Sequence, residues 1–373
     1  MPLQNIVPAE YDSQLADKVA QFQQAFAPFG VAELTVAAST PLHYRLRAEF
    51  RMFHDKGRVD YAMFAPADRK VPVVIETFPV AVESICELMP RLRDRLQASN
   101  TLKDGLFQVD FLATLSGEML VTLIYHRPLA QRWEAAARGL AVDLKVQIIG
   151  RSRKQKVVLE RDWVIEQFEL NGRQLSYQQI EASFTQPNGQ VNCQMLAWAC
   201  QQATGLGGDL LELYCGNGNF TVALAPLFAR VLATEVSTSS VKAAQYNMAA
   251  NQLANVAVVR LASEDISAAL AGSKILKELQ GIDLSDYRFS TLFVDPPRAG
   301  LDAQTLELAS RFDNILYISC NPQSLQDNVG ALQATHEIAA AAVFDQFPYT
   351  HHLESGLLLK RRPKPRPGLA KAA

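Results

Sequence analysis

The order of apolar and polar positions divides the chain into two textures. Leu15, Val19, Phe22 and Phe26 recur at helical spacing and predict an amphipathic helix over residues 8–27. From about residue 40 to 179 the pattern is mixed and strand-rich. Extended segments are predicted over 61–64, 71–75, 105–115, 119–125 and 144–149, with Ser116-Gly117 as a turn and helices over 81–98 and 129–140. Beyond a change of texture at 183–188 comes a helix over 191–203, then short apolar strands alternating with helical stretches. Those strands fall at 209–214, 231–235, 256–260, 291–295 and 315–319, and segments 343–346 and 357–360 can close a hairpin at the edge. Such alternation predicts an α/β fold with a parallel, doubly wound sheet. A boundary near residue 180 separates an N-terminal α+β region (1–180) from the α/β domain (181–362), and residues 363–373 read as a basic, disordered tail.

Composition narrows the class. With 373 residues, 49% of them apolar and 20% charged, the chain can bury a core in each of two domains, which excludes a disordered or collagen-like protein. Lys+Arg (36) nearly balance Asp+Glu (38), so bulk charge announces no nucleic-acid partner, although a local basic face can sit on a neutral whole. The first 18 residues lack a basic region followed by an apolar one, and no apolar run is long enough to span a bilayer. A cytoplasmic protein without a membrane partner is expected. Cys86, Cys193, Cys200, Cys215 and Cys320 form no C-x-x-C pair, which argues against a disulfide framework, a zinc ribbon and an iron–sulfur cluster. The six histidines form no metal set, so no metal is expected.

Four segments carry candidate chemistry. The first, Leu-Glu-Leu-Tyr-Cys-Gly-Asn-Gly-Asn-Phe-Thr at 211–221, follows an apolar strand and opens a helix. Glycine lets the backbone turn sharply there and approach a ligand. Gly216 and Gly218 lack a third glycine at Thr221 and no Walker lysine follows, so neither the dinucleotide fingerprint nor a P-loop is met. Glu235 ends the next strand, where an acid can accept both hydroxyls of a ribose. The second, Phe-Val-Asp-Pro-Pro-Arg-Ala-Gly at 293–300, delivers Asp295 and Arg298 on a proline-stiffened loop to the carboxyl edge of the sheet. Open α/β sheets place their ligand crevice at that edge. The third, Tyr-Ile-Ser-Cys-Asn-Pro at 317–322, ends a strand in Cys320 at the same edge. The other cysteines read as small buried hydrophobes. The fourth, Phe-Pro-Tyr-Thr-His-His-Leu-Glu-Ser at 347–355, is a polar loop whose carboxylate, Glu354, taken alone reads as a solvated acid.

In this order and spacing, and with Ser-Phe-Thr-Gln-Pro-Asn at 183–188 before them, these segments closely resemble the S-adenosylmethionine (SAM)-dependent RNA uracil-5-methyltransferases, in particular the tRNA-acting, TrmA-type branch. The resemblance extends upstream through segments 43–51, 105–110 and 125–129 and so covers most of the chain. It implies a Rossmann-like class I methyltransferase domain behind an N-terminal RNA-binding region, with SAM as methyl donor. It implies C5 methylation of the T-loop uridine of tRNA (uridine 54) to ribothymidine. Cys320 would be the nucleophile and Glu354 the proton-abstracting base, with Gln186, Tyr214, Asn219, Glu235 and Asp295 contacting SAM. The implied partner is the tRNA T-arm, with tmRNA as a second candidate, and a monomer is expected. Relatives acting on ribosomal RNA often add a β-barrel domain or an iron–sulfur cluster, for which this chain has neither the length nor the cysteine spacing. The basic tail beginning at Arg361-Arg362 departs from the family pattern by its length.

The chemistry asks for these residue types. Uracil C5 is a poor nucleophile until a thiolate adds to C6 and makes the ring an enolate. After methyl transfer a base must remove the C5 proton so that the thiolate can leave. Asp295 and Arg298 are candidates to orient the uracil edge or stabilise the enolate oxygen. On the RNA side, Arg51 belongs to a stretch of cations interleaved with aromatics, which is either an RNA face or an ordinary strand. Arg151, Arg153, Lys154 and Lys156 form a second basic run, and Phe107 either stacks on an unstacked base or belongs to the core. The alternatives are an rRNA methyltransferase of the same chemistry, an RNA-folding protein, and an exocyclic amino methyltransferase. The last shares Asp-Pro-Pro but needs no thiol.

Overall fold

A computed structural model describes residues 3–65, 68–274 and 276–363 of the protein. Helix α1 (Tyr11–Phe26) and strand β1 (Leu34–Ala37) come first. There follow β2 (Arg47–Asp55), β3 (Arg58–Ala65), β4 (Asp68–Ile75), α2 (Glu83–Ala98), α3 (Asn100–Lys103), β5 (Leu106–Ala113), β6 (Met119–Tyr125), α4 (Gln131–Leu144), β7 (Gln147–Ser152) and β8 (Gln155–Val158). Their strands build a seven-stranded sheet in the order β4-β3-β2-β5-β6-β7-β8, antiparallel except where α4 crosses over between the parallel pair β6–β7. Leu88, Met89 and Leu92 of α2 and Trp133 of α4 pack on Phe50, Tyr61 and Phe111 of this sheet in one buried cluster.

A hairpin of β9 (Trp163–Leu170) and β10 (Arg173–Ile180) links this sheet to the second. Then come α5 (Gly189–Ala203), β11 (Asp209–Leu213), α6 (Asn219–Leu224), β12 (Val231–Glu235), α7 (Thr238–Ala250), β13 (Val256–Arg260), α8 (Ser263–Leu270), β14 (Phe289–Val294), α9 (Ala303–Ala309), β15 (Asn314–Ser319), α10 (Pro322–Leu332), β16 (His336–Phe344) and β17 (Glu354–Arg361). They form an eight-stranded sheet in the order β1-β16-β17-β15-β14-β11-β12-β13. Strands β11 to β15 run parallel, and β17 is antiparallel to both β15 and β16. Strands β11 and β15 are buried along their whole length, as a parallel strand covered on both faces must be. The doubly wound α/β fold is as expected.

Several boundaries differ. The region 1–180 is not one unit: β1 pairs in parallel with β16, and Phe22 and Phe26 of α1 lie in the core of the second sheet with Leu325 and Val329. The chain thus begins on the second sheet before building the first, which a boundary read from texture does not reveal. The β16–β17 hairpin is consequently internal, because β1 covers the outer side of β16. Leu144 ends α4 instead of opening β7, because Lys145 adopts φ 57° and closes the helix through bonds from its N–H to Ala141 and Val142. The β9–β10 hairpin was signalled by Asn171-Gly172, both at positive φ, the pair a tight two-residue turn favours. Residues 364–373 of the expected tail lie outside the described residues.

Candidate active site

The carboxyl edge of the eight-stranded sheet opens into a cavity of about 840 Å³. Gln186, Tyr214, Asn219, Glu235, Asp295, Arg298, Cys320 and Glu354 all line it, so residues spread over 169 positions of sequence meet in one place.

On one side lies the glycine loop after β11. Tyr214 takes φ 60° and its hydroxyl donates to Ser263 Oγ at 2.8 Å. Gly218, at φ 83°, is the cap of α6, and a Cβ there would meet Met248 Cε at 2.7 Å. The Asn219 side-chain amide exchanges two hydrogen bonds with that of Asn192, at 2.8 and 3.0 Å. Glu235 accepts from the N–H of Gly216 at 3.1 Å with one oxygen and of Ser237 at 2.8 Å with the other. A carboxylate has about four lone-pair sites, so two remain for a ligand's hydroxyls. Gln186 Oε1 is buried without a partner, on a loop fixed at Asn188. Asn188 caps α5 at Val191 N–H and donates to Ser39 Oγ at 2.7 Å.

On the other side lie Cys320 and Glu354. Ser319 on β15 pairs with Ser355 on β17, so the next opposed position sets Cys320 against Glu354. Opposed residues of an antiparallel pair have Cα atoms about 4.5–5.5 Å apart. The polar residues of segment 345–350 fix the loop before Glu354. Buried Asp345 pairs with Lys18 Nζ at 2.7 Å, Gln346 Oε1 accepts from Asn188 N–H at 3.0 Å, and Tyr349 Oη donates to Pro41 O at 2.8 Å. Asn321 ties the cysteine loop to its neighbour, its Nδ2 donating to Arg298 O at 2.9 Å. Arg298 is exposed, and Nη2 stands 3.2 Å from His352 Nε2.

Charge is unevenly balanced here. Glu354, only 5% exposed, is pushed up to about 8 by burial and by Asp295, with Arg298 acting the other way. Burial also raises Asp295 to about 7, and Glu212 to about 8 with Asp295 adding to it. The Cys320 thiol is raised by burial, Glu354 and Asp295 and lowered by Arg298. Seven carboxyls line the cavity, Glu166, Glu212, Glu235, Glu264, Asp295, Asp302 and Glu354, and Arg298 is the cation that acts on the Cys320 thiol and on Glu354. Such a lining suits a cationic ligand, whose charge favours the ionised form of each nearby carboxyl.

Arg51 and Phe107 do not line the cavity. They lie on β2 and β5 of the first sheet, where the Arg51 guanidinium sits 4.1 Å from the Phe107 ring centroid and His126 stacks on the ring at 3.9 Å. Phe107 is thus neither a core residue nor an open stacking platform; it is the centre of an Arg–Phe–His stack. In the second basic run, Arg151 pairs with Glu181 at 2.5 Å and Lys156 with Asp162 at 2.6 Å, because β7 and β8 pack against the segment that leaves β10. The pattern did not single out Glu166, Phe184 or Glu212, although each lines the cavity. Phe184, 73% exposed at its mouth, was legible only as part of the 183–188 segment. Among the described residues, no group of three His, Cys, Asp or Glu is placed to hold a metal ion, and no helix is long and apolar enough to cross a membrane.

A Rossmann-like sheet with its crevice between the glycine loop on one side and a thiol and a carboxyl together on the other defines a methyltransferase of the doubly wound class. The model of the tRNA (Uracil-5-)-methyltransferase family matches residues 10–362, and the chain belongs to that family. It is 70% identical over 366 residues to the tRNA/tmRNA (uracil-C(5))-methyltransferase of Aromatoleum aromaticum, covering 98% of this chain and 100% of the relative. It is 68% identical to the protein of that name from Dechloromonas aromatica, covering 97% and 100%. In fold it matches the Pyrococcus abyssi tRNA (uracil-54, C5)-methyltransferase, crystallised with S-adenosyl-L-homocysteine, with TM-score 0.71 at 20% identity over 94% of this chain and 83% of that one. The protein is an enzyme that methylates uracil at C5 in tRNA.

Proposed function

We propose that the enzyme transfers the methyl of SAM to the T-loop uridine 54 of tRNA, through a covalent bond between Cys320 and uracil C6. The observation that carries this is the β15–β17 register, which ends with Ser319 opposite Ser355 and so brings the next residue of one strand, Cys320, and the preceding residue of the other, buried Glu354, to the same stretch of the cavity wall. The fit to SAM rests on this chain's own residues. Gln186 has an unpartnered buried oxygen, Glu235 has two lone pairs to spare, and the cavity is rich in carboxyls. When bound, SAM supplies an electrophilic methyl on a sulfonium. Gln186, Tyr214, Asn219, Glu235 and Asp295 would hold it.

Cys320, as thiolate, adds to C6, and the C5–C6 π electrons move to an enolate at O4. Arg298 lowers the cost of negative charge at the thiolate and stands at the same mouth to meet the enolate. The enolate electrons at C5 then take the methyl as the sulfonium S–CH3 bond breaks and S-adenosylhomocysteine is left, so that C5 carries both methyl and hydrogen. Glu354, ionised, takes the C5 proton, the ring double bond re-forms, and the C6–S bond breaks to return the thiolate. The target base must leave its stack to reach the cavity, and exposed Phe184 and Leu115 at the mouth supply apolar surface to meet it.

The first sheet would carry the RNA, with Arg51 in its Arg–Phe–His stack as a contact to the T-arm. The relatives' name includes tmRNA, and the same site would accept its T-loop-like arm. We read the enzyme as a cytoplasmic monomer. Incubation with methyl-labelled SAM and unmodified tRNA, followed by mapping, tests the proposal: label on C5 of the T-loop uridine is expected, and label on a base amine or at another uridine overturns it.

A further inference from the structure

The β9–β10 hairpin belongs to neither sheet, yet side chains tie its two strands to different neighbours, β10 to the glycine loop and α7 and β9 to the turn between β5 and β6. On the β10 side, Tyr177 Oη donates to the carbonyl of Asn219 at 3.1 Å. Asn247 of α7 accepts from Gln178 N–H at 2.7 Å and donates to the carbonyl of Asn217 at 2.9 Å, joining β10 to the glycine loop through one amide. Asn251, one turn on, accepts from Ser176 N–H at 3.0 Å and donates to Ser176 O at 2.6 Å, reaching the hairpin without touching the loop.

On the β9 side, Glu166, directly across the hairpin from Tyr177, is 2% exposed and accepts backbone N–H bonds from Leu115 at 2.9 Å and Ser116 at 3.3 Å, in the turn joining β5 to β6. Glu118 of that turn accepts from Ile165 N–H at 2.7 Å, and Ser116 Oγ donates to Ile165 O at 2.9 Å. Buried polar groups bonded this densely hold two backbones in one relation. Leu115, Glu166, Tyr177, Asn217 and Asn219 all line the cavity, so the ties run along its wall from the glycine loop to the mouth.

We propose that the β9–β10 hairpin is a strut coupling cofactor binding to RNA binding, with Tyr177 and Asn247 as positioning residues at the glycine loop and Glu166 at the turn facing the RNA. This rests on the reading of the cavity as the SAM site. A ligand that fixes Asn217 and Asn219 also fixes β10, β9 and the 114–118 turn, so the second ligand finds its side already ordered. Coupling of this kind is reciprocal: each ligand tightens the other by the same factor.

The test uses the full-length enzyme, S-adenosylhomocysteine and an unmodified tRNA transcript, with calorimetry for each ligand alone and in the presence of the other. In the wild type, each ligand should bind more tightly when the other is present. Tyr177→Phe removes one hydroxyl and keeps the ring. It should weaken S-adenosylhomocysteine about 2- to 13-fold, the equivalent of one hydrogen bond of about 0.5–1.5 kcal/mol, leave tRNA binding alone unchanged, and reduce the coupling. Glu166→Gln should leave each ligand's separate affinity unchanged and reduce the coupling. Asn251→Ala removes bonds to Ser176 and to the Asn247 carbonyl that do not run to the glycine loop, leaving the Tyr177, Asn247 and Glu166 ties in place, and should keep both the affinity and the coupling. Ligands that bind independently in the wild type, or equal losses in Tyr177→Phe and Asn251→Ala, overturn the strut. A wild-type enzyme that does not bind S-adenosylhomocysteine overturns the reading of the cavity instead.

Discussion

Replacing Glu354 by Gln tests the assignment of roles in the cavity most directly. The amide keeps the shape of the side chain but cannot take the C5 proton. Addition of Cys320 and methyl transfer then proceed, and elimination stalls. Loss of a general base costs about 100- to 10,000-fold in rate, or about 2.7–5.4 kcal/mol of barrier. The variant should accumulate a protein–RNA complex that survives denaturing electrophoresis and carries both labelled RNA and the labelled methyl from SAM. Cys320→Ala and the double variant should show none. The wild-type pH profile carries a second check. With burial holding Glu354 at about 8 in the substrate-free protein, only about a tenth is ionised at pH 7. Because the base acts deprotonated, and the Cys320 thiol is raised as well, single-turnover rates should climb steeply up to about pH 8, where Glu354 ionises, and keep rising less steeply above it while the thiol ionises. Arg298→Ala removes the cation that lowers both groups and should move the climb to higher pH. Normal turnover by Glu354→Gln, or an adduct without Cys320, would refute the assignments.

Three further outcomes follow from the same geometry. Glu235→Ala should weaken SAM binding by about 1.5–3 kcal/mol for each lost charged hydrogen bond while leaving the fold intact, and unchanged calorimetric affinity would reject that contact. Lys18→Ala leaves Asp345 buried and unpaired, a loss of about 3–5 kcal/mol read by denaturant unfolding; an unchanged midpoint would mean that the pair does not anchor α1 to the catalytic loop. Burial raises Glu212 to about 8 from an ordinary value near 4.5, so the folded state keeps a proton there that the unfolded chain releases, and stability falls as pH rises across that window. Glu212→Gln should therefore gain melting temperature over the wild type at pH 8.5 relative to pH 5, and a difference that does not change with pH would contradict the burial argument.

Motifs that sit where a strand ends were legible because the chemistry and the local pattern coincide there: an apolar run, then a glycine, a proline pair or a cysteine. Tyr214, Asp295 and Cys320 share this form, Glu235 ends an apolar run without such a sign, and all four reach the cavity. Residues whose role lies in a distant partner were not legible. Nothing around Lys18 points to Asp345, 327 positions away. Nothing in β9 marks Glu166 as the acceptor for a turn of another sheet. The place of β1 was hidden for the same reason, since a four-residue strand does not name the strand it joins. The Phe107 stack was missed because the choice between core and platform left out a third possibility, an aromatic ring already covered by an arginine and a histidine.

The antiparallel strand β17, beside the parallel block β11 to β15, explains how Glu354 reaches its place. In a parallel sheet every strand begins at the edge opposite the crevice and ends at it, so residues at strand ends, such as Asp295 and Cys320, gather there. A residue at the start of a parallel strand would lie the full length of the sheet away, about 20 Å for a six-residue strand. Glu354 is the first residue of β17, and it faces Cys320 because β17 runs the other way. The reversal requires the chain to go down β16 and return, which places segment 345–353 at the crevice edge, and Lys18, Asn188 and Pro41 fix that return through Asp345, Gln346 and Tyr349. The hairpin read from the sequence as an edge feature is thus the element that brings the Glu354 carboxyl to the Cys320 thiol, and β1, by covering β16, keeps that hairpin inside the sheet.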